Sequence, residues 1–326
     1  MTKNALKKML SATVGLIIIF FLLRHVWTYW DILKNSKVSI KWTMILFSYF
    51  FGLLSFFIYS LAWHFMLRSD GMSVRFAVSN YMLTKGNLGK YIPGRVWQFV
   101  GRLYFFNDIG FSKARIIMIA ALEQYFLMLS AFLIFGISFL FFQNILNNAF
   151  LIYLKIIIIV GLITGFLSLH PKSIVFWNRI FLKLTKREDL QIYISTKYIV
   201  LLISLYFIYW ITIGLSVLFL IKGGLNIPVK YMLFVVGSNA IAYFVGYISF
   251  IIPNGLGVRE GVLTYLLELF IVKGLGAVIS ILSRIMLVIE EIGYFILAFA
   301  FYKYMTKNIS AESIKIKNQL SKQLIK

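Results

Sequence analysis

Seven apolar runs, at 9–23, 43–67, 114–142, 150–169, 197–221, 231–252 and 277–302, alternate along the chain with short, mostly basic connections. An α-helix rises about 1.5 Å per residue and the hydrocarbon core of a bilayer is roughly 30 Å thick, so most of these runs have the length of a span. Inside hydrocarbon every unpaired backbone N–H or C=O costs several kcal/mol, which leaves helices as the form such runs can take. With 61% hydrophobic and 13% charged residues among 326, a soluble core could not bury the apolar surface on offer. The expected fold class is all-α: a polytopic transmembrane helix bundle of about seven or eight spans, with further broken or re-entrant helices.

Two stretches interrupt this pattern. Lys90-Tyr91-Ile92-Pro93-Gly94-Arg95-Val96-Trp97-Gln98 and Ile252-Pro253-Asn254-Gly255-Leu256-Gly257-Val258-Arg259-Glu260-Gly261 put proline, glycine and charge between strongly apolar segments. Irregular backbone at membrane depth persists only where protein covers it or a wet cavity adjoins it. Residues 76–106 and 257–272 are therefore read as broken or re-entrant elements, and Pro93, Gly94, Pro253, Asn254, Gly255, Gly257 and Gly261 as the backbone breaks. The two breaks are expected to meet inside the bundle.

The net charge of +22 sits mainly between the apolar runs, where topology and anionic headgroups explain it better than nucleic acid does. Basic residues in the N-terminus, in 68–115, in 172–197 and in the tail from Lys303 place these regions, and both termini, in the cytoplasm. The loop at 24–41, with four basic residues against Asp31, argues weakly the other way. Residues 9–305 read as a single integral membrane domain and 306–326 as a basic tail, a short surface helix or frayed end. Residues 177–189 mix apolar and basic side chains as an amphipathic surface helix does. The first run ends in Arg24-His25-Val26-Trp27 without a small-x-small cleavage site, so it is read as an uncleaved helix. Without cysteine there is no disulfide or thiolate chemistry, and the dispersed His25, His64 and His170 make no metal cluster. No metal and no cofactor are expected.

Charge inside spans marks the candidate site. Arg95, Gln98 and Arg102 fall on one face of a helix begun by Pro93 and Gly94, and two guanidiniums on one stripe suit a phosphate. Arg259 and Glu260 head a short intramembrane helix. Glu123, Arg284, Glu290 and Glu291 lie within spans, where a lone charge costs at least ~2.5–3.5 kcal/mol, so each should face the interior and find a partner. Glu123 is expected to pair with Arg284, and a buried Glu123 or Glu290 would allow proton coupling. Ser238 and Asn239 read as interhelical glue. The run from Arg115 through Glu123 to Phe126 is similar to that from Arg284 through Glu290 and Glu291 to Phe295, which suggests an internal repeat.

These motifs carry a resemblance. The Gly-x-Leu-x-x-Tyr-Ile-Pro-Gly-Arg run at 86–95, its continuation through Asp108-Ile-Gly-Phe-Ser112 to Glu123, and the later Pro253-Asn-Gly-Leu-Gly-Val-Arg-Glu-Gly261 resemble the membrane region of the lysylphosphatidylglycerol synthase/flippase family over residues 9–305. The resemblance implies a flippase that moves an anionic or aminoacylated phospholipid, or a polyprenyl-linked lipid, between leaflets of the cell membrane. Aminoacyl-lipid synthesis is not implied, because the sequence stops at Lys326 without the separate cytosolic domain that performs it. Where family members commonly carry an acidic residue and an arginine after the first proline break, this chain has Gln98 and Arg102, so the carboxylate is lost and the arginine kept. In this reading Arg95, Arg102 and Arg259 hold phosphate while Glu123 and Glu260 balance charge. The alternative is a membrane-embedded transferase using a lipid-linked donor, with Glu260 or Glu123 as base, or an accessory to an envelope-synthesis enzyme. The single Asp31 of the first outer loop favours transport over transfer. Membrane lipids are the expected partners, with a second copy or an envelope-synthesis enzyme as protein partner, and no nucleic acid.

Overall fold

A computed structural model describes residues 39–91, 97–141, 149–168, 194–249 and 257–323, with scattered single residues between 20 and 34 and at 170, 172 and 173. The first apolar run, the amphipathic stretch at 177–189 and both proline breaks (Pro93, Gly94, Arg95; Pro253, Asn254, Gly255) lie outside the described residues. Nine α-helices fill the rest: α1 Trp42–Ser69, α2 Phe76–Asn87, α3 Trp97–Asn107, α4 Lys113–Phe141, α5 Ala149–Ser168, α6 Thr196–Lys222, α7 Met232–Ile248, α8 Val258–Leu267 and α9 Leu275–Gln323. A 3₁₀ turn, Leu88–Tyr91, continues α2, and there is no strand among the described residues.

The chain is a multi-pass, all-α membrane protein. Trp42–Ser69, Lys113–Phe141, Thr196–Lys222, Val229–Ile248 and Leu275–Lys307 are each long and apolar enough to cross a bilayer. Their apolar side chains divide between interior and lipid. On α9, Ile285, Ile289, Ile292 and Ile296 are exposed, while Glu290, Glu291, Tyr294 and Ala298 on the other face are buried. Those spacings of three and four put a lipid-facing stripe opposite a packed one.

Helices α1 and α6 form the most extensive pair and run antiparallel. Lys41 N–H bonds Gly223 C=O at 2.7 Å, Ser48 Oγ lies 3.1 Å from Ser216 Oγ, and the Tyr59 and Tyr209 rings sit 5.6 Å apart. Helix α4 packs on α6 and α7, where Trp210 Nε1 donates to Ser130 Oγ at 3.0 Å. The core holds Trp63, Trp210, Tyr206, Phe106 and Phe126, with the charged side chains of Arg102 and Glu123 among them.

The interrupted elements are short helices against long neighbours. Helices α2 and α3 cross at Gly86 and Gly101, and a Cβ on Gly101 would lie 3.2 Å from the Gly86 Cα, so small residues are what let the backbones touch. Gly110, at φ +91°, reverses the chain after α3. Its N–H bonds Asn107 C=O and the Phe111 N–H bonds Phe106 C=O, the Schellman closure that leads α3 into α4. At the bundle end Arg115 Nε pairs with Asp70 Oδ2 at 2.6 Å; burial pushes the Asp70 carboxyl up, and the guanidinium pulls part of that back.

Two boundaries differ from expectation. The segment at 257–272 is a ten-residue helix followed by a turn, because Glu268 closes it: its carboxylate accepts from Gly274 N–H at 2.7 Å. Helix α9 continues past the last apolar run through the basic tail to Gln323. Hydropathy ends near Tyr302, but no proline or glycine follows Gly293, so nothing stops the helix there.

Candidate functional site

The first buried charge cluster joins the first interrupted segment to α4. Arg102 of α3 and Glu123 of α4 are 1% and 0% exposed. Arg102 Nη1 donates to Glu123 Oε2; Nε and Nη2 donate to Asn87 Oδ1 at 3.1 and 2.6 Å, and Nη2 also donates to the Tyr59 hydroxyl at 2.9 Å. The Trp63 ring covers the guanidinium at 4.8 Å, and Gln124 Nε2 donates to Glu123 Oε2 at 3.3 Å. Every guanidinium nitrogen is thus bound by the protein itself, in a dry setting where arginine's fixed fork is matched group for group.

The second cluster gathers both interrupted segments on α9. From the first, Lys90 Nζ pairs with Glu291 Oε2 at 2.7 Å, and the Tyr91 hydroxyl donates to the same oxygen. From the second, Glu260 Oε1 lies 3.5 Å from Arg259 Nη1 and 3.7 Å from Arg284 Nη1. Arg284 and Glu291 stand two turns apart on one face of α9, so a single helix receives both segments. Arg259 Nη2 donates to Asn239 Oδ1 of α7 at 3.2 Å, and Ser280 Oγ of α9 donates to the Glu260 carbonyl at 2.9 Å. Glu260 Oε2 accepts from its own helix's first N–H, that of Gly257, at 2.6 Å. Gly257 holds φ +84°, a conformation that places this N–H for the carboxylate and that a side chain would strain.

This second cluster is not saturated. Arg259 Nη1, Glu260 Oε1 and Glu291 Oε1 are buried atoms without a hydrogen bond among the described residues. The 3.5 and 3.7 Å pairs are electrostatic contacts longer than good charged hydrogen bonds. The arrangement can therefore offer donors and acceptors to a charged group.

The expected partnership of Glu123 with Arg284 is corrected: Glu123 belongs to Arg102, and Arg284 to Glu260. Helical period places these charges inward, whereas helix rotation and crossing decide who meets whom. Arg102 is also drawn away from the anticipated phosphate stripe, since Asn87, Tyr59 and Glu123 occupy its nitrogens; Gln98 is half-buried one turn earlier. Glu290, beside Glu291, is bonded to Ser216 Oγ at 2.6 Å rather than to a cation. Gly261, expected at the break, lies within α8 with open space where its Cβ would be. Asn239 does bind across helices, and His64 meets Ser79 Oγ at 3.1 Å. Lys90, Tyr91, Asn87, Tyr59 and Ser216 were missed as site members. For Tyr59 and Ser216 the signal was polarity inside an apolar run, which singles out a residue without naming its partner; Asn87, Lys90 and Tyr91 lie in the interrupted segment outside the runs, where polarity singles out nothing.

The family model described as the lysylphosphatidylglycerol synthase TM region matches residues 8–289, and the chain belongs to that family. No curated protein matches it.

Proposed function

We propose that this protein moves a phospholipid with a charged headgroup, anionic or aminoacylated, or a polyprenyl-linked lipid, between the leaflets of the cell membrane, with both termini cytoplasmic. The observation that carries the reading is the unsaturated cluster on α9: three cations and two carboxylates from two interrupted segments, inside an apolar bundle, with hydrogen-bonding atoms to spare. Ions at such depth are expensive, and loosely paired ones are characteristic of substrate paths rather than of struts. Arg259 and Arg284 suit a phosphate, which accepts paired donors from guanidinium, and Glu260 and Glu291 suit an ammonium substituent. Broken helices facing each other at the interface of two halves are the arrangement transporters use for substrate. Membership of the family supports the same class of activity.

The test is leaflet exchange in proteoliposomes carrying, in separate preparations, fluorescent phosphatidylglycerol, its aminoacylated form and a polyprenyl phosphate. Exchange above the rate of protein-free vesicles for at least one of these is the expected result. Exchange at the protein-free rate for all three would defeat the reading, and a covalently altered lipid in the extract would assign the cluster to transfer chemistry instead.

A further inference from the structure

Glu290 stands apart from both ion-paired clusters. It is 1% exposed, on the packed face of α9, and its carboxyl fits a slot in α1: a Cβ on Gly52 would come within 1.9 Å of the Glu290 Cδ. Ser216 Oγ of α6 donates to its Oε1 at 2.6 Å, and Ser48 Oγ of α1 lies 3.1 Å beyond. No Lys, Arg or His among the described residues reaches ion-pair distance of it. Three helices thus shape a pocket for one carboxyl and furnish it with neutral hydroxyls only. A carboxylate there would stand unpaired in low dielectric, whereas a carboxylic acid fits without that cost.

The groups facing Glu290 are few. Helix α1 presents Ser48, the Gly52 backbone and, one turn along at Gly293, the Tyr49 hydroxyl; α6 presents Ser216 and Tyr209. From α8 the field of Arg259 reaches it. On α9 itself Glu291 is held by Lys90 and Tyr91, and Arg284 by Glu260. Among these, the cations Lys90, Arg259 and Arg284 face the carboxylates Glu260 and Glu291. With Glu290 protonated the assembly carries one surplus positive charge; with Glu290 ionised it is neutral.

We propose that Glu290 is the proton-carrying group of the transport cycle, and that its proton sets the charge with which the α8–α9 cluster receives an anionic headgroup. The inference rests on the reading of that cluster as the lipid site. Protonation, by a hydronium ion that leaves as water, raises affinity for the phosphate. Release of the proton to water on the opposite side restores the carboxylate and lowers that affinity. Linkage makes the effect reciprocal: bound anion favours the proton, and the proton favours bound anion.

Two measurements test it. Infrared difference spectra of the purified protein should show a carboxylic C=O band that bleaches as pH is raised and is missing from Glu290→Gln. Should that variant fold poorly, Ser216→Ala keeps the carboxyl while removing its donor, and should shift the bleaching midpoint. A band unaltered in both variants would overturn the proposal. In proteoliposomes with fluorescent phosphatidylglycerol, an imposed pH gradient should change wild-type exchange roughly tenfold, and Glu290→Gln should hold one rate at every gradient. A gradient response retained in Glu290→Gln would overturn the proposal as well. Exchange at the protein-free rate under all conditions would instead remove the transport reading, while the infrared titration still decides where the proton sits.

Discussion

In both halves of the molecule a short helix follows a proline–glycine stretch and forms an ion pair with the long helix after it, with the signs exchanged. Arg102 of α3 meets Glu123 of α4, and Glu260 of α8 meets Arg284 of α9. The first pair is the more fully matched: each nitrogen of its arginine has a partner and a tryptophan ring lies over it, with Glu123 Oε1 the one atom of the pair left without a hydrogen bond among the described residues. The second is open, with contacts of 3.5 and 3.7 Å and buried atoms left over. The same chemistry thus serves two ends. A buried pair whose cation is matched at every nitrogen acts as a strut between helices, while a buried pair with a spare donor and spare acceptors can exchange its internal partners for a ligand.

The sharpest way to break this comparison is to remove one side of the first pair. Arg102→Met or Glu123→Gln should each lower stability by about 3–5 kcal/mol, because the remaining charge stays buried without its partner. Thermal unfolding in detergent reads this, and the double variant Arg102→Met with Glu123→Met should recover a large part of the loss. A single-variant loss under ~1 kcal/mol would make the first pair no strut at all. Gly52→Ala comes next. It drives a methyl against the Glu290 carboxyl and should lower stability by about 1–3 kcal/mol in the same unfolding assay.

The open cluster should answer differently. Arg259→Lys keeps the charge but loses the fork, so lipid exchange should fall about tenfold, equivalent to ~1.4 kcal/mol, with the unfolding temperature little changed. If instead stability falls and exchange does not, the roles of the two clusters are reversed. Least affected is the bundle end. Arg115 is 46% exposed while the Asp70 carboxyl beneath it is buried, and burial pushes that carboxyl up, so Asp70→Asn, which keeps the shape and removes a charge already penalised by burial, should alter stability by about 1 kcal/mol.

Much of the fold was legible because bilayer thickness writes itself into run length: the runs at 43–67, 114–142 and 197–221 differ from α1, α4 and α6 by at most two residues at either end. The inward position of Glu123, Arg259, Glu260, Glu290 and Glu291 was also readable, since a charge in a span has one affordable direction. Pairing was not. Arg102 and Glu123 meet because α3 turns back through Gly110 onto α4, and Lys90 reaches Glu291 across two hundred residues of sequence. Such meetings depend on crossing geometry that no periodicity encodes. One overlooked clue was local: Ser48, Gly52 and Ser55, small residues at spacings of four and three on α1, marked a face built for close approach, and it is there that the Glu290 carboxyl lies.

The Glu260 carboxylate seated on the Gly257 N–H has a bearing on selectivity. The start of a helix attracts anions in general, yet here the position is taken by a tethered competitor from the same turn. A tethered group acts at an effective concentration on the order of millimolar or above, far beyond what a weakly held free ion can match. Chloride or inorganic phosphate drifting into the bundle would meet an occupied seat. On the proposed transport reading, only a molecule that brings additional binding energy, as a lipid does through its acyl chains, outcompetes it, so the protein's own side chain would act as a filter against small electrolytes.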